Sequence, residues 1–109
     1  MLEKLFGNVT LEKVLFYIYN YNEGYAQRIS DTFGISLNMV QAQLMKLEAG
    51  GILASSLKGK TRMYQWNSRY PMLKELKSLL SRTMEYMPES EIKKYYRIRT
   101  RPRRKGKPI

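Results

Sequence analysis

The stretch SLNMVQAQLMKLEAGGILASSLKGKTRMYQW, residues 36–66, carries the reading that decides the fold. Its first half places Leu37, Val40, Leu44 and Leu47 at the three- and four-residue intervals of one helical stripe. Ser36 stands where a hydroxyl can accept from an unpaired N–H of the first turn, and Gly50 and Gly51 end the run. Residues 52–57 and 61–66 are then strand-like, joined by Lys58, Gly59 and Lys60. A three-residue loop containing glycine between β-rich runs predicts a hairpin.

Working upstream, Ile35 fills a corner and Gly34 supplies a left-handed residue that ends a short second helix over residues 25–33, with Ala26, Ile29 and Phe33 inward. Residues 22–24 form a turn. Before it, Asn8 or Thr10 caps a first helix that runs to about residue 21. Leu11, Val14, Leu15 and Ile18 make its core stripe, while Phe16, Tyr17 and Tyr19 occupy its other faces. A helix apolar nearly all round is buried on more than one side, and a second subunit is a candidate for the other side. Residues 1–7 are a short apolar lead-in. Downstream, Asn67 or Ser68 precedes Pro71, which suits the first turn of a last helix over residues 71–87, ahead of Pro88.

Two short helices, a glycine corner, a capped third helix and a basic hairpin form the plan of a winged helix-turn-helix. The expected fold is mainly α with a small β-hairpin (α+β). Residues 1–88 form the DNA-binding domain, including the C-terminal helix, and residues 89–109 form a basic tail. With the leucine stripe inward, the helical period turns Asn38, Met39, Gln41, Ala42, Met45 and Lys46 outward, with Gln43 at the boundary. B-DNA admits a helix in its major groove, where amides pair with base edges, adenine best of all. Asn38, Gln41 and Gln43 are candidates for that, Met39 or Ala42 for a thymine methyl, and Lys46 for a phosphate, with Ser36 at the helix start. In the wing, Lys58, Lys60 and Arg62 suit phosphates or the minor groove; edge lysines that discourage aggregation are the plainer alternative.

Charge points the same way. The chain carries +11, unevenly placed. Residues 1–90 hold eleven basic and eight acidic groups, while residues 91–109 hold nine basic and one acidic. A near-neutral body with a cationic end suits a polyanion, because neutralised phosphates release counterions. Arg97, Arg99, Arg101, Arg103, Arg104 and Lys105 are the candidate contacts there. The run from residue 95 lacks helical apolar spacing, and its first half has the alternation of a strand.

Other classes are excluded or disfavoured. The 109 residues include no cysteine and no histidine, which removes disulfides, the usual zinc ligands and the usual general base. The nine carboxylates form no convincing pair and no phosphate-cradling glycine loop is present. No cofactor, metal or catalytic residue is expected, and the chain does not read as an enzyme. The longest apolar stretch, residues 14–19, is far short of the ~20 residues that span a bilayer. A soluble cytoplasmic protein is expected.

From residue 5 to 87 the chain resembles the ArsR-like winged-helix regulators, in particular a subgroup often encoded beside, or fused to, small nucleotidyltransferases. The resembling residues are Leu5, Phe6 and Gly7; Ile35, Ser36, Val40 and Gln41; Leu44 through Glu48; Tyr64 through Asn67; and Tyr70 through Leu76. The resemblance implies DNA binding by the third helix and wing, commonly as a homodimer. A nucleotidyltransferase, if it is a partner, would be a separate protein. Ala42 departs from the basic or polar residue frequent in relatives, which implies modest sequence readout. Metal sensing, which relies on cysteine and histidine ligands, is not implied.

The last helix places Leu73, Leu76, Leu80 and Met87 on a three-four spacing completed by Thr83, widened by Met72, Leu79, Met84 and Tyr86. Such a stripe exceeds what one small domain covers. Pairing with Leu15 and Tyr19 of the first helix across a twofold axis would hide it and set two recognition helices one DNA turn apart. The dimer candidates are thus Leu15, Tyr19, Leu73, Leu76, Leu80, Met84 and Met87. The competing functional readings are an adaptor that binds protein through its apolar helices, and RNA binding through the tail.

Overall fold

The computed structural model describes residues 2–96. A four-residue helix α1 (Glu3–Phe6) precedes α2 (Val9–Tyr21), whose start is fixed by Asn8: its Oδ1 accepts from the Leu11 N–H at 3.0 Å. α2 is the centre of the molecule. Val14, Leu15, Phe16, Tyr17 and Ile18 are all buried, so consecutive side chains around the helix meet protein on several sides. After Asn22 turns the chain in the left-handed region, Glu23–Gly24 forms a short strand β1 where the sequence suggests only a turn.

The helix-turn-helix follows as α3 (Ala26–Phe33) and α4 (Leu37–Ala49). Gly34 closes α3 at φ +68°, a conformation that costs other residues about 1–2 kcal/mol. The Ser30 hydroxyl donates to the Ile35 carbonyl across that corner, while Ser36 Oγ accepts from Met39 N at 3.2 Å to start α4. Val40, Leu44 and Leu47 fix α4 to the core as one stripe. The spacing predicts these three contacts; Leu37, expected on the same stripe, is instead half-buried at the first turn, outside the core and beside the wing.

α4 passes directly into the wing. Ile52 N–H donates to Leu47 O at 3.0 Å, and β2 (Leu53–Lys58) then pairs antiparallel with β3 (Thr61–Trp66), from Leu53 opposite Trp66 to Lys58 opposite Thr61. The tip is therefore Gly59 and Lys60 alone, one residue shorter than the expected loop. Asn67 clamps the hairpin base, its Nδ2 donating to Gly51 O at 2.8 Å and its N–H to Ile52 O at 3.0 Å. On the far side β1 pairs with β3, giving the sheet order β1-β3-β2. Gly24 is needed there for space: a Cβ would lie 2.6 Å from Tyr17 Cε1.

α5 (Leu73–Glu85) starts two residues after Pro71, which lies in the preceding turn. Leu80 and Thr83 lie fully within the core, and Asn20 reaches Met84 Sδ at 3.2 Å. The largest departure from expectation is α6 (Glu89–Tyr96). Residue 88 is not the end of the folded body. Tyr96 is 2% exposed and packs its ring against Phe16 and Phe33, and Tyr21 donates a hydrogen bond to the Tyr95 carbonyl. The Tyr96 ring and α5 thus meet faces of α2 that the sequence reading offers to a second subunit. Among the described residues, no helix is long and apolar enough to cross a membrane.

Candidate nucleic-acid interface

The outward face of α4 is the one the helical period selects. Asn38, Met39, Gln41, Ala42, Met45 and Lys46 are exposed, and Ser36 at the cap is exposed as well. Gln43 is a correction. It is half-buried, and its Oε1 lies inside the protein with no hydrogen-bond partner among the described residues, so it does not join the outward set. The reason is angular: at 100° per residue it stands beside the buried Val40 and Leu47 rather than beside Gln41.

Wing and helix open on the same side. A concavity of about 560 Å³ lies between them, lined by Leu37, Gln41 and Met45 of α4, by Lys60, Thr61, Arg62 and Tyr64 of the wing, and by Tyr25, Ala26 and Gln27 at the start of α3. The short connection from α4 to β2 and the packing of Leu53 beneath the sheet set this geometry. The lining brings together Gln41, Lys60 and Arg62 from the sequence-based set. It adds Met45, Thr61, Tyr25 and Gln27, of which only Met45 had a signal in the sequence, one turn beyond Gln41 on the same exposed face.

The three wing cations are not equivalent. Lys60 stands at the tip with no hydrogen bond or ion pair to another described residue. Lys58 is 3.3 Å from Glu23 Oε1 across the sheet, an exposed pair that restrains it by about 1 kcal/mol at most. Arg62 Nη1 donates to Ser55 Oγ at 2.9 Å, and Ser55 in turn donates to Glu48 Oε2 at 2.6 Å. That chain links α4, β2 and β3 and aligns the guanidinium beside Tyr64. Burial holds the Tyr64 phenol above its ordinary range; the Glu48 carboxylate pushes the same way and Arg62 opposes it. Lys46 is exposed on α4 but lies outside the lining of the concavity.

The expected tail contacts, Arg97, Arg99, Arg101, Arg103, Arg104 and Lys105, lie outside the described residues. Two expected dimer residues are also corrected. Leu15 is 2% exposed and Leu80 0%, so both belong to the core of the single chain and offer nothing to a partner. Tyr19, Leu73, Leu76, Met84 and Met87 are partly covered by the same chain. The apolar side chains left open on this side are Met72, Leu79 and Tyr86, seven residues apart and therefore nearly in line along α5 and its ends.

No protein-family model matches the chain, and no curated protein matches it. Solved structures do. The crystal structure of AntR, an antimony-specific transcriptional repressor, superposes with a TM-score of 0.60 at 21% identity, over 83% of this chain and 77% of that one. The solution structure of the homodimeric winged helix-turn-helix DNA-binding domain of Mb0332 from Mycobacterium bovis, a possible ArsR-family regulator, gives 0.58 at 18% identity, over 82% and 80%. The apo structure of a ZitR double mutant from Lactococcus lactis gives 0.56 at 16% identity, over 84% and 73%. The order of elements, the capped third helix and these superpositions agree on one architecture: the chain has the winged helix-turn-helix fold.

Proposed function

We propose that this protein is a DNA-binding transcriptional regulator of the ArsR-like kind, acting as a homodimer in the cytoplasm. α4 enters the major groove, the wing rests on the sugar-phosphate backbone or in the minor groove, and the basic residues from Arg97 onward add phosphate contacts. One observation carries this reading: the exposed face of α4 and the cations Lys60 and Arg62 open onto the same concavity. A helix and a cationic finger on one side suit a rod of regularly spaced negative charge. The net charge of +11 supports it, as does the likeness to the DNA-binding domain of Mb0332 and to the repressor AntR. Antimony sensing does not transfer, since this chain has no thiolate to offer a soft metalloid.

Met72, Leu79 and Tyr86 form the proposed twofold contact, together with the part-covered Leu73, Leu76, Met84 and Met87. Nothing observed supports the nucleotidyltransferase partner implied by the resemblance, and it is not part of the proposal.

The test is duplex affinity as a function of salt. Binding should weaken steeply as salt rises, and ending the chain at residue 96 should flatten that slope while site preference remains. Gln41→Glu with Lys60→Glu should reduce binding by more than tenfold. Binding that ignores both substitutions would favour the adaptor reading, and preference for structured RNA over duplex DNA would favour the third.

A further inference from the structure

The exposed face of α4 has an unusual chemistry for a helix offered to a polyanion. It contains no arginine, and Lys46, its single cation, lies outside the concavity shared with the wing. What it presents instead is two amides, Asn38 and Gln41, and two thioethers: Met39 is 52% exposed and Met45 62%. Ala42 lies between them in sequence and is also exposed. Exposed methionines gain nothing from water, so an apolar contact is what would recover their burial.

The base pairs of the major groove differ in what they can return. Guanine shows two acceptors, best met by arginine or lysine; adenine shows an acceptor and a donor, met by a glutamine or asparagine amide; thymine alone adds a methyl group. Gln41 and Met45 both line the concavity and are separated by one helical turn, a rise of about 6 Å. That is a step of one to two base pairs at about 3.4 Å each. The neighbouring Lys60 and Arg62 favour a polyanion as the occupant over an apolar peptide groove.

We infer that α4 reads A·T pairs, with Gln41 on an adenine edge and Met45 against the C5-methyl of a nearby thymine. The inference rests on the DNA-binding reading above and gives it a substrate class: half-sites whose core is A·T, recognised partly through methyl groups. Positive charge comes from the wing and supplies affinity; uncharged and apolar groups on α4 supply discrimination.

The experiment enriches full-length protein on a random duplex pool, then replaces each thymine of the enriched duplex in turn by deoxyuridine, which pairs identically but lacks the methyl. The expected result is an A·T core and at least one thymine whose replacement lowers affinity about fourfold, the value of one buried methyl. Met45→Ala should bind the thymine and uracil duplexes equally, with thermal stability unchanged because the side chain is exposed; Met45→Leu should keep the discrimination. A G·C core, affinity with no sequence enrichment, indifference to every thymine methyl, or discrimination that survives Met45→Ala would each overturn the inference while leaving the regulator reading standing. Failure of the unaltered protein to bind any duplex would overturn that reading itself.

Discussion

Two lysines, one on α2 and one at the wing tip, show how little a charge means until its neighbours are known. Lys13 of α2 sits 5.2 Å from the ring centroid of Phe33 and 5.3 Å from that of Tyr95, over the junction where these two rings, 4.9 Å apart, join α3 to α6. Lys60 stands at the wing tip, exposed, with no described partner, on the wall of the concavity it shares with Gln41 and Met45. The first contributes to packing through a cation–π contact of about 0.5–1 kcal/mol. The second has its full charge available to a ligand. The contrast extends to whole segments: residues 91–96 belong by composition to the cationic end of the chain, yet they form most of α6 and are held to the body by aromatic rings. Their lysines, Lys93 and Lys94, stay exposed, so the segment is anchored by its tyrosines while its charge remains at the surface.

The strongest way to break this comparison is at Tyr96. Removing its ring with Tyr96→Ala should cost about 3–5 kcal/mol in chemical denaturation, as for other buried aromatics. Ending the chain at residue 88 should be at least as damaging, and more damaging than ending it at residue 96. A tail with no structural role would show no such difference between the two truncations.

Steric confinement gives the next effect. Gly24→Ala should destabilise by about 1–3 kcal/mol, because the new Cβ would meet Tyr17 Cε1 at 2.6 Å and Ile29 Cδ1 at 3.3 Å in a packed corner. Thermal melting would reveal it.

Alkaline pH sharpens the picture of the aromatic side. Burial raises the phenols of Tyr17, Tyr64 and Tyr96 above their ordinary value, most strongly for Tyr96. In the unfolded chain these groups lose their protons near pH 10. The folded state thus holds more protons above that pH, so stability should be constant below it and fall progressively above it. A denaturation midpoint that rises between pH 10 and 11 would contradict the burial of these rings.

The wing should respond least in stability. Ser55→Ala removes the link from Glu48 to Arg62 and should cost no more than about 1 kcal/mol. Lys60→Glu should change stability by under about 0.5 kcal/mol, as surface substitutions do. Its effect should appear instead in duplex binding, with a weaker affinity and a shallower salt dependence. A large loss of stability at Lys60 would mean the tip is a structural element and would remove the distinction between the two lysines.

The helix-turn-helix was legible because each of its signals is local. Ser36 caps α4 through a hydroxyl three residues from its donor, Gly34 turns the chain through its own φ, and the leucine stripe follows from the helical period alone. The outward face of α4 came with that stripe, apart from Gln43, which the helical period puts at the boundary beside Val40 and Leu47 and which the fold half-buries.

Features that join distant parts of the chain were not legible. β1 is two residues long and exists because β3, some forty positions away, supplies its hydrogen bonds. The covering of α2 by α6 depends on rings of Phe16, Phe33, Tyr95 and Tyr96 meeting across the fold. Likewise, an apolar stripe on α5 does not say which residues another element of the same chain has already taken; burial assigns Leu80 inward and leaves Leu79 at the surface.

The sequence by itself determined the kind and order of the central elements, the residues facing outward on α4 and the absence of thiolate and imidazole chemistry. Tertiary structure alone decided that wing and helix share one concavity, that Lys58 and Arg62 are already engaged while Lys60 is not, and that the folded body continues to Tyr96. The physical reason is range. Caps, turns and periodic stripes are settled within a few residues, whereas enclosure and ion pairing depend on which surfaces meet after the chain has folded back on itself.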